Sequence, residues 1–452
     1  MMLAILSAVL GLAGDARSQA APAVTEPPAR PSAPTPETYR DLAEQVEAAL
    51  RRDVLEVWFP RAVDECNGGF LAAFGRDWQP GRSLGKFSVF QGRMTWIAAQ
   101  VALRRPELKE RYLPYVRHGI DYLSGVAWDK EQGGFYWGLQ DDGRPSPYFS
   151  DGKHLYGISF CIYGLAAAHQ ATGDPRALDL AQRAFRWLEQ HAHDRANGGY
   201  FEWLKRDGSV VQPDPGAVLV QRAPVALFPI GFKSMNTHIH LLEAFTQLYE
   251  TWRDETLRAR LEELLAIVRD RICVRPGVMH LYFTNDWRPI PDHDSYGHDV
   301  EAGYLMIEAA AALGHAQDPQ VERLARALVD HALAYGWDAK LGGFFREGTT
   351  FGPPEDRQKE WWVEVEGLNA LLLMHERYGR ETPAYFEAFR RQWQFIATYQ
   401  TDAEHRGLYE MVGADGVPTV PGKGRIWKAA YHDGRAFLNV SERLRALAAS
   451  GR

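Results

Sequence analysis

The chain has 452 residues, of which 46% are hydrophobic, so it can bury one large core or two ordinary ones. Its formal net charge of -7 and lack of a long basic run argue against nucleic acid as a partner. Three widely separated cysteines form neither a disulfide framework nor a zinc-site pattern. The 14 Trp residues favour a ligand with flat apolar faces, such as a sugar, although large core aromatics are the alternative.

The N-terminus resembles an export signal over residues 1–20. An apolar stretch at 3–12 precedes a small-x-small cleavage site at 18–20, although no lysine or arginine precedes the stretch. Residues 21–36, rich in proline and alanine, are predicted to be a flexible leader to one catalytic domain over 37–452. No later run is long enough to span a bilayer. We expect an exported protein if the signal is real, and a cytoplasmic one otherwise.

One short motif recurs along the folded region, and it consists of an aspartate, three variable residues, two glycines and an aromatic residue. Its four copies and one worn copy begin at Asp64, Asp129, Asp194, Asp338 and Asp402. These aspartates are 65, 65, 144 and 64 residues apart, so the long gap holds two units and a degenerate copy is expected within 270–278. Six units of about 65 residues therefore fill the chain from residue 37 onward.

Between the copies of this motif, apolar residues recur at intervals of three and four, which is typical of helices. Paired glycines followed by an aromatic residue suit a tight turn or short hairpin before the chain returns. Twelve helices, two per unit, are predicted near 38–58, 87–104, 110–126, 153–171, 175–192, 235–252, 255–272, 298–313, 318–335, 359–377, 383–399 and 430–448.

Six helical hairpins either stack as an open solenoid or close on themselves. Because the ends carry no atypical polar caps, we predict an all-α (α/α)6 barrel with short β-hairpin loops. The second helix of each unit should form the inner ring, since stretches such as 155–168 and 302–313 are apolar most of the way round. The N-terminal ends of these helices are expected to line one cavity, to which they offer unpaired N–H groups.

The starts of the inner helices carry the candidate proton-transfer groups. His298 and Glu301 are three residues apart and are expected on one face of a first helical turn, where the carboxylate would orient and tune the imidazole. His432, at the start of the last inner helix, is the second candidate. Both imidazoles are expected to titrate near neutrality. A capping or space-filling role is the alternative for any single histidine.

Other inner-helix starts carry candidate binding residues. Arg93 stands among apolar residues and would be costly to bury unless it meets a ligand or forms a structural salt bridge. Asn236, His240 and Glu243 share one helix face, whereas His238 points away from it. Residues two apart on a helix cannot ligate one ion together, and no pair of candidates has standard ligand spacing on one face, so a metal site is not favoured although it stays open.

Two tryptophans complete the candidate set. Trp362 is one helical turn from Glu366, and Trp427 shortly precedes His432. A tryptophan beside a carboxylate is typical of a sugar site, although a tryptophan-rich helix is more often simply core.

Four segments together resemble the N-acylglucosamine 2-epimerase superfamily, and within it the cellobiose 2-epimerases most of all. They are SMNTHIHLLE (234–243), SYGHDVE (295–301), EWWVEVE (360–366) and WKAAYHDGR (427–435). The resemblance covers nearly the whole folded region and implies an (α/α)6 barrel. It also implies cofactor-free inversion at C2 of an aldose, although some members instead move the carbonyl between C1 and C2.

The resemblance also implies roles for individual residues. His298 and His432 would be the acid/base pair, with Glu301 beside the first. Substrate-binding or supporting positions would be Arg93, Asn236, His240, Trp362, Glu366 and Trp427. The chain departs from the family pattern at Asp433, Ala430 and Ile158, where Asn, Pro and Gln are common. These departures do not affect the candidate catalytic residues, but they leave the identity of the natural sugar undecided.

We therefore expect a 2-epimerase that converts a cellobiose-type β-1,4-disaccharide to its mannose-ended epimer through an enediolate. An aldose-ketose isomerase or N-acylglucosamine 2-epimerase of the same superfamily is the nearest alternative, and monosaccharides and N-acyl sugars stay open as substrates. A non-catalytic sugar-binding protein, or an inverting glycosidase that uses two of Glu243, Glu301, Glu364 and Glu366, are further alternatives. The expected partner is a small sugar, and both a monomer and a homodimer are open.

Overall fold

The computed structural model describes residues 33–146, 149, 152–212, 231–274 and 277–450. The predicted signal and nearly all of the predicted leader lie outside these residues. Twelve helices of at least 12 residues occupy the described part, as predicted. They are α1 Pro36–Ala49, α2 Ser88–Arg104, α3 Lys109–Tyr122, α4 Leu155–Thr172, α5 Pro175–His191, α6 Met235–Thr251, α7 Glu255–Ile267, α8 Tyr296–Ala312, α9 Pro319–Tyr335, α10 Trp361–Tyr378, α11 Ala384–Phe395 and α12 Tyr431–Ser450.

The even-numbered helices form a closed inner ring, in which each packs against the next and α12 returns to α2. Each later odd-numbered helix packs on the inner helix that precedes it in the chain, and α1 packs on α12. The first and last helices therefore close the barrel, and the predicted (α/α)6 architecture is confirmed. None of the described helices is both long and apolar enough to cross a membrane.

The two rings differ in sequence for a physical reason. The residues of α4 from Leu155 to Ala168 are all buried, as befits a helix with protein on every side. Outer helices are amphipathic and begin at polar caps; Asp174 accepts a hydrogen bond from the Arg176 amide, and Pro175 opens α5.

Short antiparallel strands tie the starts of five inner helices, α2, α4, α6, α8 and α10, to neighbouring loops. They are β1 Lys86–Phe87, β2 Gly138–Leu139, β3 Lys153–His154, β4 Trp203–Leu204, β5 Lys233–Ser234, β6 Cys273–Val274, β7 Val278–Met279, β8 Tyr282–Phe283, β9 Pro289–Ile290, β10 Asp294–Ser295, β11 Glu347–Gly348, β12 Pro354–Asp356, β13 Lys359–Glu360, β14 Met411–Val412 and β15 Pro418–Val420. They pair as β1-β2, β3-β4, β5-β8-β9, β6-β7, β10-β11-β12 and β13-β14-β15. Because β3 and β13 take the two residues before their helices, α4 and α10 begin two residues later than predicted.

The recurring motif forms a tight turn that is held by an ion pair. In the second copy, Gly133 and Gly134 both adopt left-handed backbone conformations, with φ of +70° and +71°, which other residues rarely adopt. Asp129 accepts hydrogen bonds from two amides of the turn, and Lys153 Nζ lies 3.0 Å from Asp129 Oδ2. The same kind of pair recurs as Lys86–Asp64, Lys233–Asp194, Lys359–Asp338 and Lys423–Asp402.

The degenerate copy expected within 270–278 is the β6-β7 hairpin. Trp128, just before Asp129, pairs with Phe135 across its turn, and Cys273 pairs with Met279 in the same way. Val274 therefore stands where the other units carry the aspartate. In the same unit Asp294 opens β10, at the position that lysine takes in β1, β3, β5 and β13.

Candidate active site

The inner-helix starts surround a cavity of about 480 Å³. Eight of the nine predicted site residues line it, namely Arg93, Asn236, His240, His298, Glu301, Trp362, Trp427 and His432. The ninth, Glu366, is fully buried and contacts His432. Predicted residues from five of the six units therefore converge on one site.

Two imidazoles from different helices lie against the same indole. The ring centroids of His298 and His432 are 4.7 and 5.7 Å from that of Trp362. His432 Nδ1 is 2.6 Å from Glu366 Oε1, and His298 Nδ1 is 2.7 Å from the Ser295 hydroxyl oxygen. In each ring Nδ1 is engaged, which leaves Nε2 as the nitrogen available to a ligand.

The predicted pairing of Glu301 with His298 is wrong. Glu301 Oε1 accepts a hydrogen bond from Arg435 Nη2 and lies 3.9 Å from His432 Nδ1. The three-residue spacing placed both groups on one helix face, but a guanidinium is a stronger partner for a carboxylate than a neutral imidazole. Ser295, not Glu301, holds His298.

Arg435 organises a second layer of polar groups next to the cavity, of which Glu301 also lines the cavity wall. Its guanidinium donates to Glu243, Glu301 and Glu366, and all four side chains are buried. Burial alone would raise the pKa of Glu243, but Arg435 and His240 outweigh it and lower that pKa to about 2. Burial prevails at Glu301 and Glu366, whose pKa values are raised.

This layer already contains its own cation. Glu301, Glu366 and His432 are close enough to share a metal ion, but Arg435 donates to both carboxylates. The guanidinium therefore supplies the positive charge that an ion would bring. Sequence reasoning missed Arg435, although it carries the signal that identified Arg93, an arginine within an otherwise buried helix.

Arg93 is a buried cation with no carboxylate partner among the described residues. It donates to the Trp427 carbonyl at 3.0 Å and to the Tyr156 hydroxyl at 2.9 Å, and its Cζ lies 4.3 Å from the Phe160 ring centroid. The structural salt bridge considered from the sequence is therefore not formed. A positive charge in the cavity wall without a counter-ion suits a substrate oxygen that becomes negative.

The two histidines of the His-x-His pair in α6 point to different sides of the helix, as their spacing predicts. His240 lines the cavity, and its Nδ1 is 2.9 Å from Glu243 Oε2. His238 is buried elsewhere, with Nδ1 bonded to the Ser234 carbonyl and Nε2 to the Tyr200 amide. The Oδ1 atom of Asn236, also in the cavity wall, is buried without a partner and can bind a hydroxyl.

The expectation that both catalytic candidates titrate near neutrality is also wrong. Burial lowers the pKa of His298 to about 3, and burial with the nearby Arg93 and Arg435 charges lowers the pKa of His432 well below its ordinary value. Both imidazoles are therefore neutral in the free protein, because a closed, cation-rich site disfavours another positive charge.

Comparison with known proteins identifies the family to which the chain belongs. A model of the family described as N-acylglucosamine 2-epimerase (GlcNAc 2-epimerase) matches residues 68–433. The chain belongs to this family. It is 32% identical over 411 residues to the cellobiose 2-epimerase of Bacteroides fragilis, covering 88% of this chain and 98% of that relative.

A solved structure and a second enzyme extend the comparison. The cellobiose 2-epimerase from Spirochaeta thermophila is 30% identical with a TM-score of 0.79, and the match covers 91% of this chain and 98% of that one. The D-mannose isomerase of Marinomonas mediterranea is 22% identical over 420 residues, covering 88% of this chain and 97% of that relative. This member of the family is thus an isomerase of the epimerase type.

Proposed function

We propose that this epimerase inverts C2 of the reducing-end aldose of a cellobiose-type β-1,4-linked disaccharide. The observation that carries the proposal is the placement of His298 and His432, from α8 and α12, against one Trp362 in one cavity. Two imidazoles that reach a substrate from different helices can serve its two faces.

The first step is removal of the C2 proton from the open-chain sugar, which the C1 aldehyde makes acidic. His432 Nε2 takes this proton while Glu366 holds Nδ1, and the bonding electrons move to O1 to give an enediolate. General-base catalysis of this kind contributes roughly 10²- to 10⁴-fold.

The second step returns a proton to the opposite face of C2. For this step His298 must be an imidazolium, whose positive charge the adjacent enediolate stabilises. Its Nε2 donates the proton, the C1 carbonyl forms again, and C2 has the inverted configuration. The Ser295 hydroxyl oxygen can accept a hydrogen bond from Nδ1 of this imidazolium, which leaves the Nε2 proton for C2. The two histidines end the turnover with exchanged protonation states, which suits the reverse reaction.

Arg93 and His240 stabilise the charge that develops between these steps. The O1 and O2 oxygens become negative only in the enediolate, and Arg93 has no competing carboxylate among the described residues. A preorganised cation in a site with little water stabilises such charge more strongly than it would in water.

The size and rim of the cavity support a disaccharide. A volume of about 480 Å³ exceeds what one sugar ring fills, and Trp427 provides a flat apolar surface in the wall. Charged groups also line the cavity; Arg346 Nε lies 3.1 Å from Glu360 Oε2 and its Nη2 lies 2.8 Å from Glu347 Oε1. These groups offer hydrogen bonds to the hydroxyls of a second ring.

An aldose-ketose isomerase shares the enediolate and is the second candidate, favoured by the likeness to the D-mannose isomerase. It would differ only in returning the proton to C1. A glycosidase is less consistent with the site, because Glu243, Glu301 and Glu366 converge on Arg435 rather than facing each other across a glycosidic bond.

Product analysis by NMR over cellobiose, mannobiose, mannose and N-acetylglucosamine tests the proposal. We expect cellobiose to give its mannose-ended epimer with the glycosidic bond intact. Release of glucose would establish a glycosidase, a ketose as the main product would establish an isomerase, and conversion of only the monosaccharides would overturn the proposed substrate.

A further inference from the structure

Three buried side chains from three elements meet behind the start of α8, and none of them lines the sugar cavity. Asp294 of β10, Asp299 of α8 and His331 of α9 are 2%, 0% and 4% exposed. Both carboxylate oxygens of each aspartate, and His331 Nδ1, are buried without a hydrogen-bond partner. We call these residues the Asp294 cluster.

The cluster arises where one unit departs from the repeat. In β1, β3, β5 and β13 the equivalent position is a lysine whose ammonium neutralises the aspartate of the motif. Here Asp294 replaces the lysine, and no lysine or arginine among the described residues pairs with either carboxylate of the cluster. Two adjacent buried carboxylates without a cation are costly, so the cluster needs a positive occupant.

The tautomer of His331 directs a lone pair into the cluster. Its Nε2 lies 2.6 Å from the Thr350 carbonyl oxygen, which can only accept, so Nε2 carries the proton. Nδ1 then presents an unshared pair 3.6 Å from Asp294 Oδ2 and 3.5 Å from Asp299 Oδ2. With a neutral imidazole, three acceptors therefore face one another, which is unfavourable unless a cation or a proton lies between them.

The distances in the cluster are longer than those of direct hydrogen bonds and fit a shared ion. Buried imidazole-carboxylate pairs that are hydrogen-bonded in this chain are short, at 2.6 Å for His432–Glu366 and 2.9 Å for His240–Glu243, whereas the pair His238–Glu202, which is not hydrogen-bonded, is 3.7 Å apart. Ligand atoms around a tetrahedral zinc ion with bonds of about 2.1 Å are about 3.4 Å apart, close to the separations in the cluster. All three ligand atoms lie within 4.8 Å of one another.

We propose that Asp294, Asp299 and His331 bind one divalent transition-metal ion, for which Zn²⁺ is the probe. An imidazole with carboxylates suits zinc and its neighbours better than calcium or magnesium. The expectation against a metal site considered ligands on one helix face, whereas these three come from a strand and two helices. The ion would be structural, since the cluster is separate from the cavity.

The competing occupant is a pair of protons. Burial and the adjacent Asp299 charge raise the pKa of Asp294 to about 8, and burial raises the pKa of Asp299 well above its ordinary value. Without a cation, burial therefore favours the protonated form of both carboxyls. A proton can bridge only two of the three acceptors, whereas a metal ion satisfies all three.

The site also has a structural consequence for α8. Asp299 directly follows His298, and Asp294 directly precedes Ser295, whose hydroxyl holds His298 Nδ1. A bound ion would therefore fix both ends of the turn that carries His298.

Metal analysis of the full chain, purified without chelator or metal-affinity resin, tests the proposal. We expect about one transition-metal ion per chain by plasma mass spectrometry after gel filtration with ZnSO4. Asp294→Lys, which restores the residue of the other units, should lower this content at least tenfold, and His331→Gln should do the same. The exposed His315→Ala, just after α8, is the matched control and should retain the ion.

Thermal unfolding gives an independent readout that does not depend on activity. Chelator treatment should lower the Tm of the wild-type protein, and ZnSO4 should restore it, because a ligand bound only by the native state stabilises that state. Asp294→Lys should show neither shift. Absence of metal with no zinc-dependent Tm shift in the wild-type protein, or a metal content in the two cluster variants equal to that of the wild type, would overturn the site and leave the proposed sugar chemistry untouched.

Discussion

Two layers of polar groups lie one above the other at the centre of the barrel, and they differ in how fully they are paired. In the cavity, Arg93 has no carboxylate partner and Asn236 Oδ1 no hydrogen bond within the described part of the chain, and the two histidines keep Nε2 for a ligand. In the lower layer, Arg435 donates to three carboxylates. The contrast indicates that the upper layer performs chemistry and the lower layer holds it in place.

The largest expected effect comes from the upper layer. His432→Ala and His298→Ala should each lower kcat by roughly 10²- to 10⁴-fold, because each removes one proton-transfer group. Steady-state epimerisation of cellobiose measures this, with His315→Ala as the control for loss of an exposed histidine. If either variant kept its activity within a few-fold of wild type, the claim that the upper layer performs the chemistry would be contradicted.

A substitution in the lower layer should reduce the free energy of unfolding. Arg435→Met leaves three buried carboxylates without their cation, and breaking such a network typically costs about 3–5 kcal/mol of folding free energy. Urea unfolding measures this cost, and Arg288→Ala, at an arginine side chain that is 81% exposed, is the matched control. A stability equal to that of the control would show that the lower layer does not depend on the guanidinium.

Glu366 joins the two layers and should show an intermediate effect. Arg435 and His432 share Oε1 of Glu366, and the Tyr304 hydroxyl donates to Oε2. Glu366→Gln keeps the shape of this side chain and one oxygen but removes the negative charge that holds His432 Nδ1. We expect kcat to fall by less than in His432→Ala while KM changes little. A raised KM at unchanged kcat would instead place Glu366 among the groups that bind substrate in both states.

Trp427→Ala should have a smaller effect, confined to binding. The side chain lines the cavity, whereas Arg93 bonds to the Trp427 backbone carbonyl, which the substitution keeps. Loss of one aromatic contact, which contributes about 0.5–1.5 kcal/mol of binding free energy, should raise KM about two- to tenfold. Steady-state kinetics with cellobiose checks this, and a fall in kcat without a change in KM would contradict it.

The smallest expected effect is a gradual loss of stability in acid, as the aspartates of the recurring motif lose their negative charge. The pKa values of Asp64, Asp129, Asp194, Asp338 and Asp402 are all lowered, because hydrogen bonds and the adjacent lysines outweigh burial. A lowered pKa contributes stability above the unfolded value near 3.9, and that contribution is lost as pH falls toward the folded pKa. The free energy of unfolding should therefore decrease as the pH falls below about 4. This decrease should be less steep in Asp129→Asn, which lacks one of the titrating carboxylates. A decrease as steep as in the wild type would contradict the role of that pair.

The sequence predicts the architecture well because the motif repeats at a nearly constant interval. The separations between its aspartates require six units, and the β6-β7 hairpin lies where the missing copy was expected. Boundaries near β3 and β13 were harder to predict, because two-residue strands carry no periodic signal.

The site was less predictable where partners are distant in sequence. His298 and His432 could be found from local motifs, but Glu301 was assigned to His298 because only neighbours on its own helix were visible. Its actual partner, Arg435, is 134 residues away. The Asp294 cluster combines a strand and two helices, so helical spacing could not identify it.

Isotope exchange at C2 tests the central claim most directly. When cellobiose is incubated with the enzyme in D2O, transfer through His432 and His298 predicts that the epimer carries deuterium at C2 in the NMR spectrum. His432→Ala and His298→Ala should abolish this incorporation. An epimer formed with its original hydrogen fully retained at C2 would contradict the two-histidine account.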